Sequence, residues 1–181
     1  MIIPSKEGKY KEFHQERHIK TINFILPHLN RGDKVLDLGP TNTLSDLMKE
    51  EGLVVTNTTT DVDLDLDYSI VENSDFEVMT AFEILEHVVS PFPLLKYSKA
   101  KKLFISVPLK LWFAEAYWNV NDPYDCHYHE FEPKQIRMLL EKAGWKIVKE
   151  DMWVSRIKEI GIRPILRRFT PRHYIAYCER T

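Results

Sequence analysis

The sequence is poor in cysteine and in glycine, with only 2 and 6 of them among 181 residues. Cys126 and Cys178 form neither a CxxC pair nor a disulfide framework. This usage is typical of a reducing compartment, and we expect the protein in the cytoplasm. Stability must then come from a hydrophobic core, and a chain of this length can remove roughly 70% of its unfolded surface from water. We therefore expect one domain over residues 1–181.

The sequence also lacks an excess of charge of either sign. Its 25 Lys and Arg residues nearly balance 27 Asp and Glu residues, which gives a net charge of −2 and a pI of about 6.4. Proteins that bind DNA or RNA usually carry a broad positive surface. The charge balance therefore argues against nucleic acid as a partner.

Long apolar runs are absent as well. No run approaches the ~20 residues that a membrane span requires. The charged residues Lys6, Glu7 and Lys9 stand where a signal peptide needs an apolar segment. The sequence therefore predicts a protein that is neither exported nor embedded in a membrane.

What the sequence does contain is an alternation of helix and strand patterns. An apolar stripe over residues 19–29 has helical spacing and ends before Gly32. The short apolar run 34–38 is typical of a buried strand. Thr43 stands three residues before Asp46, which resembles the capping box that opens a helix. The first part of the chain therefore predicts a helix, a strand and a second helix.

The later patterns continue this alternation. Further strands are predicted at residues 53–55, 63–67, 76–80, 103–107, 145–148 and 174–178. Pro133 marks the start of another helix, and Gly144 marks its end. This order favours an α/β sandwich around a mostly parallel sheet, which binds ligands beyond the carboxyl ends of its strands. Polar or unusual residues follow the predicted strands at 37–43, 57–61, 81–83, 86–87 and from Pro108 onward.

Three of these segments together carry a family resemblance. Residues 35–39 read VLDLG, residues 76–88 read FEVMTAFEILEHV, and HYHEF at 127–131 leads to LLEKAGW at 139–145. In this order they resemble the class I S-adenosylmethionine-dependent methyltransferases, in particular the small-molecule type with an EHV sequence after the fourth strand. The resemblance implies a Rossmann-like three-layer sandwich with helices on both faces of the sheet and an antiparallel last strand.

The resemblance also implies a cofactor, a reaction and a set of site residues. The cofactor is S-adenosylmethionine, the product is S-adenosylhomocysteine, and the methyl group passes in line to a small-molecule substrate. The residues expected near the cofactor are Asp37, Gly39, Thr41, Asn57, Asp61, Ala81, Phe82 and Glu83. A nicotinamide-dependent oxidoreductase is disfavoured because no GxGxxG follows the first strand.

The sequence departs from the family pattern at two places. The family usually has DxGxGxG, whereas Thr41 and Thr43 stand at the second and third glycine positions. The second departure is a missing helix after the second strand. The family also has an acidic residue for the ribose hydroxyls at the end of that strand, where this chain offers Asp61, with Asn57 as a substitute. A non-catalytic binding module that has lost the cofactor is therefore the alternative function.

Histidines are the candidates for the reaction itself. Methyl transfer requires alignment of the nucleophile, exclusion of water and in some cases removal of a proton. His87 and His129 are the expected catalytic residues, with His127 as a further base candidate, because imidazole accepts a proton near neutral pH. A hydrogen-bonded structural role for His87, and packing of His129 against Phe131, are the alternatives.

A metal site is not expected from the sequence. Cys126, His127 and His129 have the chemistry of metal ligands. However, no fourth Cys or His lies nearby, and adjacent residues of an extended segment point apart.

Two further segments are candidates for substrate contacts. Residues 109–131 are rich in aromatic residues, and they suit a lid over a substrate pocket or, through 111–128, the surface of a homodimer. A basic cluster precedes the last strand and suits either an anionic substrate group or a solvated face. Its members are Arg163, Arg167, Arg168, Arg172 and His173.

Overall fold

The computed structural model describes residues 6–59, 61–72, 75–122, 125–154 and 161–181, except for the side chains of residues 6–14 and 162–164. The helices are α1 (Lys6–Ile25), α2 (Thr43–Glu50), α3 (Ser69–Glu72), α4 (Pro91–Tyr97), α5 (Pro133–Lys142) and α6 (Ile162–Phe169). The strands are β1 (Lys34–Asp37), β2 (Val54–Asn57), β3 (Val78–Phe82), β4 (Lys102–Pro108), β5 (Trp145–Trp153) and β6 (His173–Arg180). Leu26–His28 and Leu85–His87 form short 3₁₀ turns.

The strands form a sheet in the order β2-β1-β3-β4-β6-β5. β1 pairs in parallel with β2 and β3, and β3 pairs in parallel with β4. β6 runs antiparallel to both of its neighbours, β4 and β5. The predicted fold class, a mostly parallel sheet with an antiparallel last strand, is therefore confirmed.

Helices cover both faces of the sheet because consecutive strand residues point to opposite sides. One core contains Ile25 of α1 and Met48 of α2 packed on the same face as Val35 and Phe104 of the strands. The other core contains Leu94 of α4 and Ile136 of α5, packed on the opposite face with Leu36, Met79, Leu103 and Ile105. This arrangement is the three-layer sandwich that the sequence predicts.

The start of α2 differs from the prediction by one residue. The N-cap is Asn42, whose Oδ1 accepts hydrogen bonds from the backbone N–H groups of Leu44 (2.9 Å) and Ser45 (3.2 Å). The Ser45 hydroxyl in turn accepts from the Asn42 backbone N–H. The predicted box of Thr43 and Asp46 is therefore wrong, because Asn42, one residue earlier, accepts from the free N–H groups at the start of the helix.

The predicted strand at residues 63–67 is also wrong, because these residues form a turn. The Asp63 carbonyl accepts from the N–H groups of Leu66 and Asp67, and its carboxylate accepts from the N–H of Asp65. Leu66 is 81% exposed, so the alternation of Asp and Leu does not mark a buried face. Aspartate side chains that bond to nearby backbone compete with strand pairing.

The remaining strand predictions coincide with β1 to β6, with shifted ends. Both cysteines are buried and free. Among the helices within the described ranges, none is long and apolar enough to cross a membrane. Tyr124 of the aromatic-rich segment and residues 155–160, which precede the basic cluster, lie outside the described residues.

Candidate functional site

The candidate site lies where the connections of the sheet diverge. From β1 the chain continues to β2 on one side, and β3 then pairs with β1 on its other side. In open α/β sheets, the carboxyl ends of strands at such a switch point form the ligand-binding crevice. The loop that begins at Gly39 and the turn that begins at Glu83 therefore border this crevice.

Asp37, at the end of β1, is buried beneath the loop. Its Oδ1 accepts a hydrogen bond from the Thr80 hydroxyl (2.6 Å), and its Oδ2 accepts from the Ser45 hydroxyl (2.7 Å) and from Asn57 Nδ2 (2.9 Å). Burial raises the pKa of the Asp37 carboxyl, and these hydrogen bonds oppose that shift. These hydrogen bonds connect the end of β1 to α2, β2 and β3, so Asp37 holds these elements in fixed relation.

Asn57, at the end of β2, also points into the protein. Its Nδ2 lies within hydrogen-bond distance of Asp37 Oδ2, the Ser45 hydroxyl oxygen and the Gly39 carbonyl. Its Oδ1 accepts from the hydroxyl of Thr41 (3.3 Å). The Asn57 amide is therefore used to tie the loop to β2.

Gly39 begins the loop with a φ of +103°, a region that L-residues with a side chain avoid. Its N–H donates to the Thr58 hydroxyl (2.7 Å). A Cβ built on Gly39 would lie 2.8 Å from Cδ1 of Ile84, on the turn that follows β3. The glycine is thus required by the path of the backbone, and a side chain there would also displace Ile84.

Glu83, directly after β3, has a φ of +56°, unusual for a residue other than glycine. Its carboxylate accepts hydrogen bonds from Arg17 Nη1 (2.7 Å) and from the Ser106 hydroxyl (2.9 Å). Its N–H donates to the carbonyl of Ser106. Contacts to α1 and β4 therefore hold Glu83 in a conformation that its own backbone disfavours.

The remaining predicted cofactor residues differ in exposure. Ala81 is fully buried within β3, and Phe82 is half-buried. Asp61 is exposed on the turn after β2, and within the described part of the chain no side chain or backbone group hydrogen bonds to its carboxylate. Asp61 therefore presents a free carboxylate, whereas Asn57 does not present a free amide.

Glu86, His87 and His127 form a polar cluster beside this site. One oxygen of Glu86 and one ring nitrogen of each histidine all lie within 4.8 Å of one another. His87 Nδ1 bonds to the Cys126 carbonyl (3.0 Å), and His127 Nδ1 bonds to Glu130 Oε1 (3.0 Å). Burial raises the pKa of Glu86 well above its usual value, and the Glu83 carboxylate adds to this effect. Burial and the neighbouring His127 lower the pKa of His87.

His129 lies beside this cluster but has its own contacts. Its Nε2 bonds to the Val89 carbonyl (3.0 Å), and its ring stacks on Phe131 with 5.3 Å between centroids. Its backbone N–H donates to the Glu86 carbonyl (3.2 Å). The packing of His129 on Phe131 that the sequence suggests is present.

The aromatic segment is largely exposed. Trp112, Tyr117, Trp118 and Tyr128 each keep about half or more of their surface in solvent. The segment is attached at its ends by pairing of Leu109 with Phe131. Exposed rings such as Trp112 and Tyr128 can therefore contact a ligand or a partner.

The basic cluster is described in part. Arg172 is half-buried, and burial together with Arg167 lowers the pKa of its guanidinium. Burial lowers the pKa of His173 to about 4. The side chain of Arg163 lies outside the described residues.

Sequence reasoning missed several residues that build the site. They are Arg17, Ser45, Thr58, Thr80 and Glu130. Thr80 follows directly from sheet register, because it pairs with Asp37 across β1 and β3. Arg17 has no sequence signal, because its contact with Glu83 spans 66 residues.

Comparison with protein families gives one match over most of the chain. A family model described as a methyltransferase domain matches residues 10–150. Comparison with curated protein sequences gives no match.

Solved structures with the same fold include several methyltransferases. A SAM-dependent methyltransferase from Archaeoglobus fulgidus is 18% identical with a TM-score of 0.62, over 94% of this chain and 99% of that one. A 1,6-didemethyltoxoflavin-N1-methyltransferase from Burkholderia thailandensis is 17% identical with a TM-score of 0.63, over 95% of this chain and 85% of that one. A magnesium protoporphyrin IX methyltransferase from Synechocystis PCC 6803 is 14% identical with a TM-score of 0.65, over 99% of this chain and 88% of that one. The last two were solved with S-adenosylhomocysteine bound.

Proposed function

The chain belongs to the methyltransferase-domain family, and on that premise we propose that it transfers a methyl group from S-adenosylmethionine to a small-molecule acceptor. The acceptor atom gains the methyl group, and the product of the cofactor is S-adenosylhomocysteine. The observation that carries this proposal is the backbone of Gly39, at φ +103° on the loop after β1 at the switch point of the sheet. Two structural neighbours that bind S-adenosylhomocysteine support it.

The residues around the crevice fit this cofactor. Gly39 lets the loop backbone approach a ligand closely. Asp61 offers a carboxylate that can accept two hydrogen bonds from the ribose hydroxyls. In this proposal Phe82 and Glu83, at the end of β3, form the opposite border of the crevice, and the fully buried Ala81 supports them from within the strand.

In this proposal, two of the expected cofactor residues hold the loop in place and do not contact the cofactor themselves. Asn57 donates to the Asp37 carboxylate and lies within hydrogen-bond distance of the Gly39 carbonyl. Asp37 also accepts from the Ser45 hydroxyl. Both are therefore positioning residues, which fix the loop in the conformation that receives the cofactor. Thr41, whose hydroxyl donates to Asn57, lies on the exposed side of this loop.

The chemistry then divides between cofactor and protein. When bound, S-adenosylmethionine supplies the methyl group and a good leaving group. The protein must align the acceptor, exclude water and take a proton from the acceptor where it carries one. His87 is suited to the last task, because its Nδ1–H donates to the Cys126 carbonyl and leaves a lone pair on Nε2. His129, the other expected catalytic residue, has its Nε2 bonded to the Val89 carbonyl and takes no part in the reaction in this proposal.

The aromatic segment at 109–131 supplies the acceptor side of the crevice in this proposal. Exposed rings such as Trp112 and Tyr128 can cover a small molecule and keep water from the reacting atoms. A homodimer through residues 111–128 is the other use of the same surface. Two free buried cysteines agree with a cytoplasmic location.

Calorimetric titration with S-adenosylmethionine and with S-adenosylhomocysteine tests the proposal. We expect both to bind at one site per chain. Asp61→Asn should weaken binding about tenfold, because it removes a charged acceptor of hydrogen bonds. Asp63→Asn is the matched control, since Asn at this position can still accept the N–H of Asp65 and should bind the cofactor like the wild type. Equal affinities of wild type and Asp61→Asn would contradict the role of Asp61.

The second candidate function is a binding module without catalytic activity. It is favoured by the hydrogen bond between Thr41 and Asn57. These two side chains bond to each other at positions where the family resemblance implies a glycine and an acid. Absence of heat with either ligand, from protein whose folding is verified by circular dichroism, would favour this candidate and reject methyl transfer.

A further inference from the structure

We propose that Glu86, His87 and His127 form a site for one divalent first-row transition metal ion, for which Zn²⁺ is the best-matched probe. The three side chains come from two segments of the chain, one after β3 and one before α5. Their three ligand atoms lie within 4.8 Å of one another, and His87 Nε2 is 3.8 Å from Glu86 Oε1. A tetrahedral ion with bonds of about 2.1 Å sets its ligands roughly 3.4 Å apart, so modest side-chain rotations bring the donors into place.

Both imidazole rings are oriented as metal-binding histidines are. His87 Nδ1 faces the Cys126 carbonyl and His127 Nδ1 faces a carboxylate oxygen of Glu130, each at 3.0 Å. Neither oxygen can donate, so each Nδ1 carries the hydrogen and each Nε2 keeps a lone pair. A histidine that binds a metal almost always donates its other N–H to a carbonyl or carboxylate in this way.

The burial of Glu86 is the independent observation that points to a cation. The residue is 1% exposed, and Oε2 has no hydrogen-bond partner among the residues that the structure describes. A buried carboxylate without a partner is costly, and it needs a proton or a positive charge close by. The nearby cation Arg17 is already paired with Glu83 at 2.7 Å.

The backbone holds the two segments together before any ion binds. The carbonyl of Glu86 accepts hydrogen bonds from the N–H groups of Tyr128 (2.8 Å) and His129 (3.2 Å). With the bond from His87 to the Cys126 carbonyl, three hydrogen bonds join the segments that carry the ligands. The site is therefore preorganised, and an ion would cross-link it further.

The donor set selects the class of ion. Two imidazoles and one carboxylate suit Zn²⁺ and its neighbours in the first row, whereas Mg²⁺ and Ca²⁺ prefer sites made of oxygen. Three protein ligands leave one position open, as in zinc sites that act in catalysis. If the proposed methyl transfer holds, an acceptor hydroxyl bound there would lose its proton more readily. His87 would then act as a ligand, because the ion uses the lone pair on Nε2.

Calorimetric titration of chelator-treated protein with zinc chloride, without S-adenosylmethionine, tests the site separately from the proposed function. We expect one ion per chain. Glu86→Gln, His87→Phe and His127→Phe should each weaken binding by more than tenfold, and Glu130→Gln by about 10- to 100-fold. His129→Phe is the matched control, because its Nε2 already bonds to Val89 and its ring can still stack on Phe131.

A second measurement covers variants that lose stability. Zinc should raise the melting temperature of the wild type and of His129→Phe but not that of Glu86→Gln, a substitution that keeps the shape of the side chain. Cobalt in place of zinc should give the visible absorption of an ion bound by nitrogen and oxygen. The proposal is overturned if the wild type does not bind zinc, or if Glu86→Gln binds as tightly. Loss of binding in His129→Phe alone would overturn it as well.

Discussion

Asn57 Nδ2 lies 2.9 Å from Asp37 Oδ2, and this contact joins the ends of two parallel strands. A carboxylate at position 57, which the family resemblance favours, would put two like charges at this distance. The buried Asp37 therefore requires a hydrogen-bond donor at position 57, which the Asn57 amide supplies. The acidic residue proposed to bind the ribose hydroxyls is Asp61, farther along the chain.

Asn57→Asp tests this relationship. We expect a loss of about 2–4 kcal/mol in the free energy of unfolding at pH 7, because a donor is replaced by a second carboxylate. Repulsion raises the pKa of the carboxylate pair in the folded state above its unfolded value. Stability contributed by the shared proton is then present at low pH and is lost as pH rises through the raised pKa. Urea unfolding should therefore show a larger deficit at pH 7 than at pH 5. Asn57→Ala, which adds no charge, should show a weaker dependence on pH, and equal dependence in both variants would contradict the explanation.

Gly39→Ala and Gly32→Ala form a matched pair. Both glycines have positive φ, +103° and +88°, so each substitution should cost about 1–2 kcal/mol of stability. Nothing lies within 4 Å of a Cβ at Gly32, whereas a Cβ at Gly39 would lie 2.8 Å from Cδ1 of Ile84, so the loop or the Ile84 side chain must shift. Titration with S-adenosylmethionine should therefore show weaker binding only for Gly39→Ala. Unchanged affinity in that variant would mean that this loop does not contact the cofactor.

At Glu83 we expect a glycine variant to be more stable than an alanine variant, the reverse of the usual order. Both Glu83→Gly and Glu83→Ala lose the contacts with Arg17 and Ser106, so they differ mainly in the cost of a φ of +56°. We expect the glycine variant to be more stable by about 1 kcal/mol in urea unfolding. At the exposed helical position Lys49, alanine should be the more stable by a similar amount. The same order at both positions would mean that Glu83 is not strained.

His173 should make the protein sensitive to mild acid. Burial lowers the pKa of His173 to about 4, from about 6.5 in an unfolded chain. The unfolded state then binds more protons between these values, so stability falls as pH decreases from 6.5 to 4, by about 3 kcal/mol. His173→Phe keeps a ring that can stack on Trp153 and removes the titration. The free energy of unfolding of the wild type should fall more steeply than that of this variant, and parallel curves would contradict the prediction.

The predicted strands and helices were recoverable because local patterns determine them. The strands β1, β3 and β4 are buried on both faces of the sheet. A short, continuous apolar run is typical of such strands, so their positions could be predicted. The pattern at 63–67 misled because Asp63 bonds to its own neighbours, and alternation alone does not distinguish a strand from such a turn.

The candidate site was recoverable in part. Sheet topology places Asp37, Gly39, Asn57 and Glu83 at neighbouring strand ends, as expected from a parallel sheet. The partners of these residues were not predicted, because Arg17 and Ser45 reach them from helices whose rotation depends on packing. The cluster of Glu86, His87 and His127 was missed because His127 lies 40 residues after His87 in the sequence.

The sequence by itself determined most of the strands and helices, the family and the polar residues that follow the strand ends. These depend on apolar periodicity and on local motifs, which are properties of neighbouring residues. The tertiary structure decided which side chains face the crevice and which face inward, and it brought a buried carboxylate to two histidines. Such choices depend on contacts between distant segments, whose geometry is fixed only when the helices pack on the sheet.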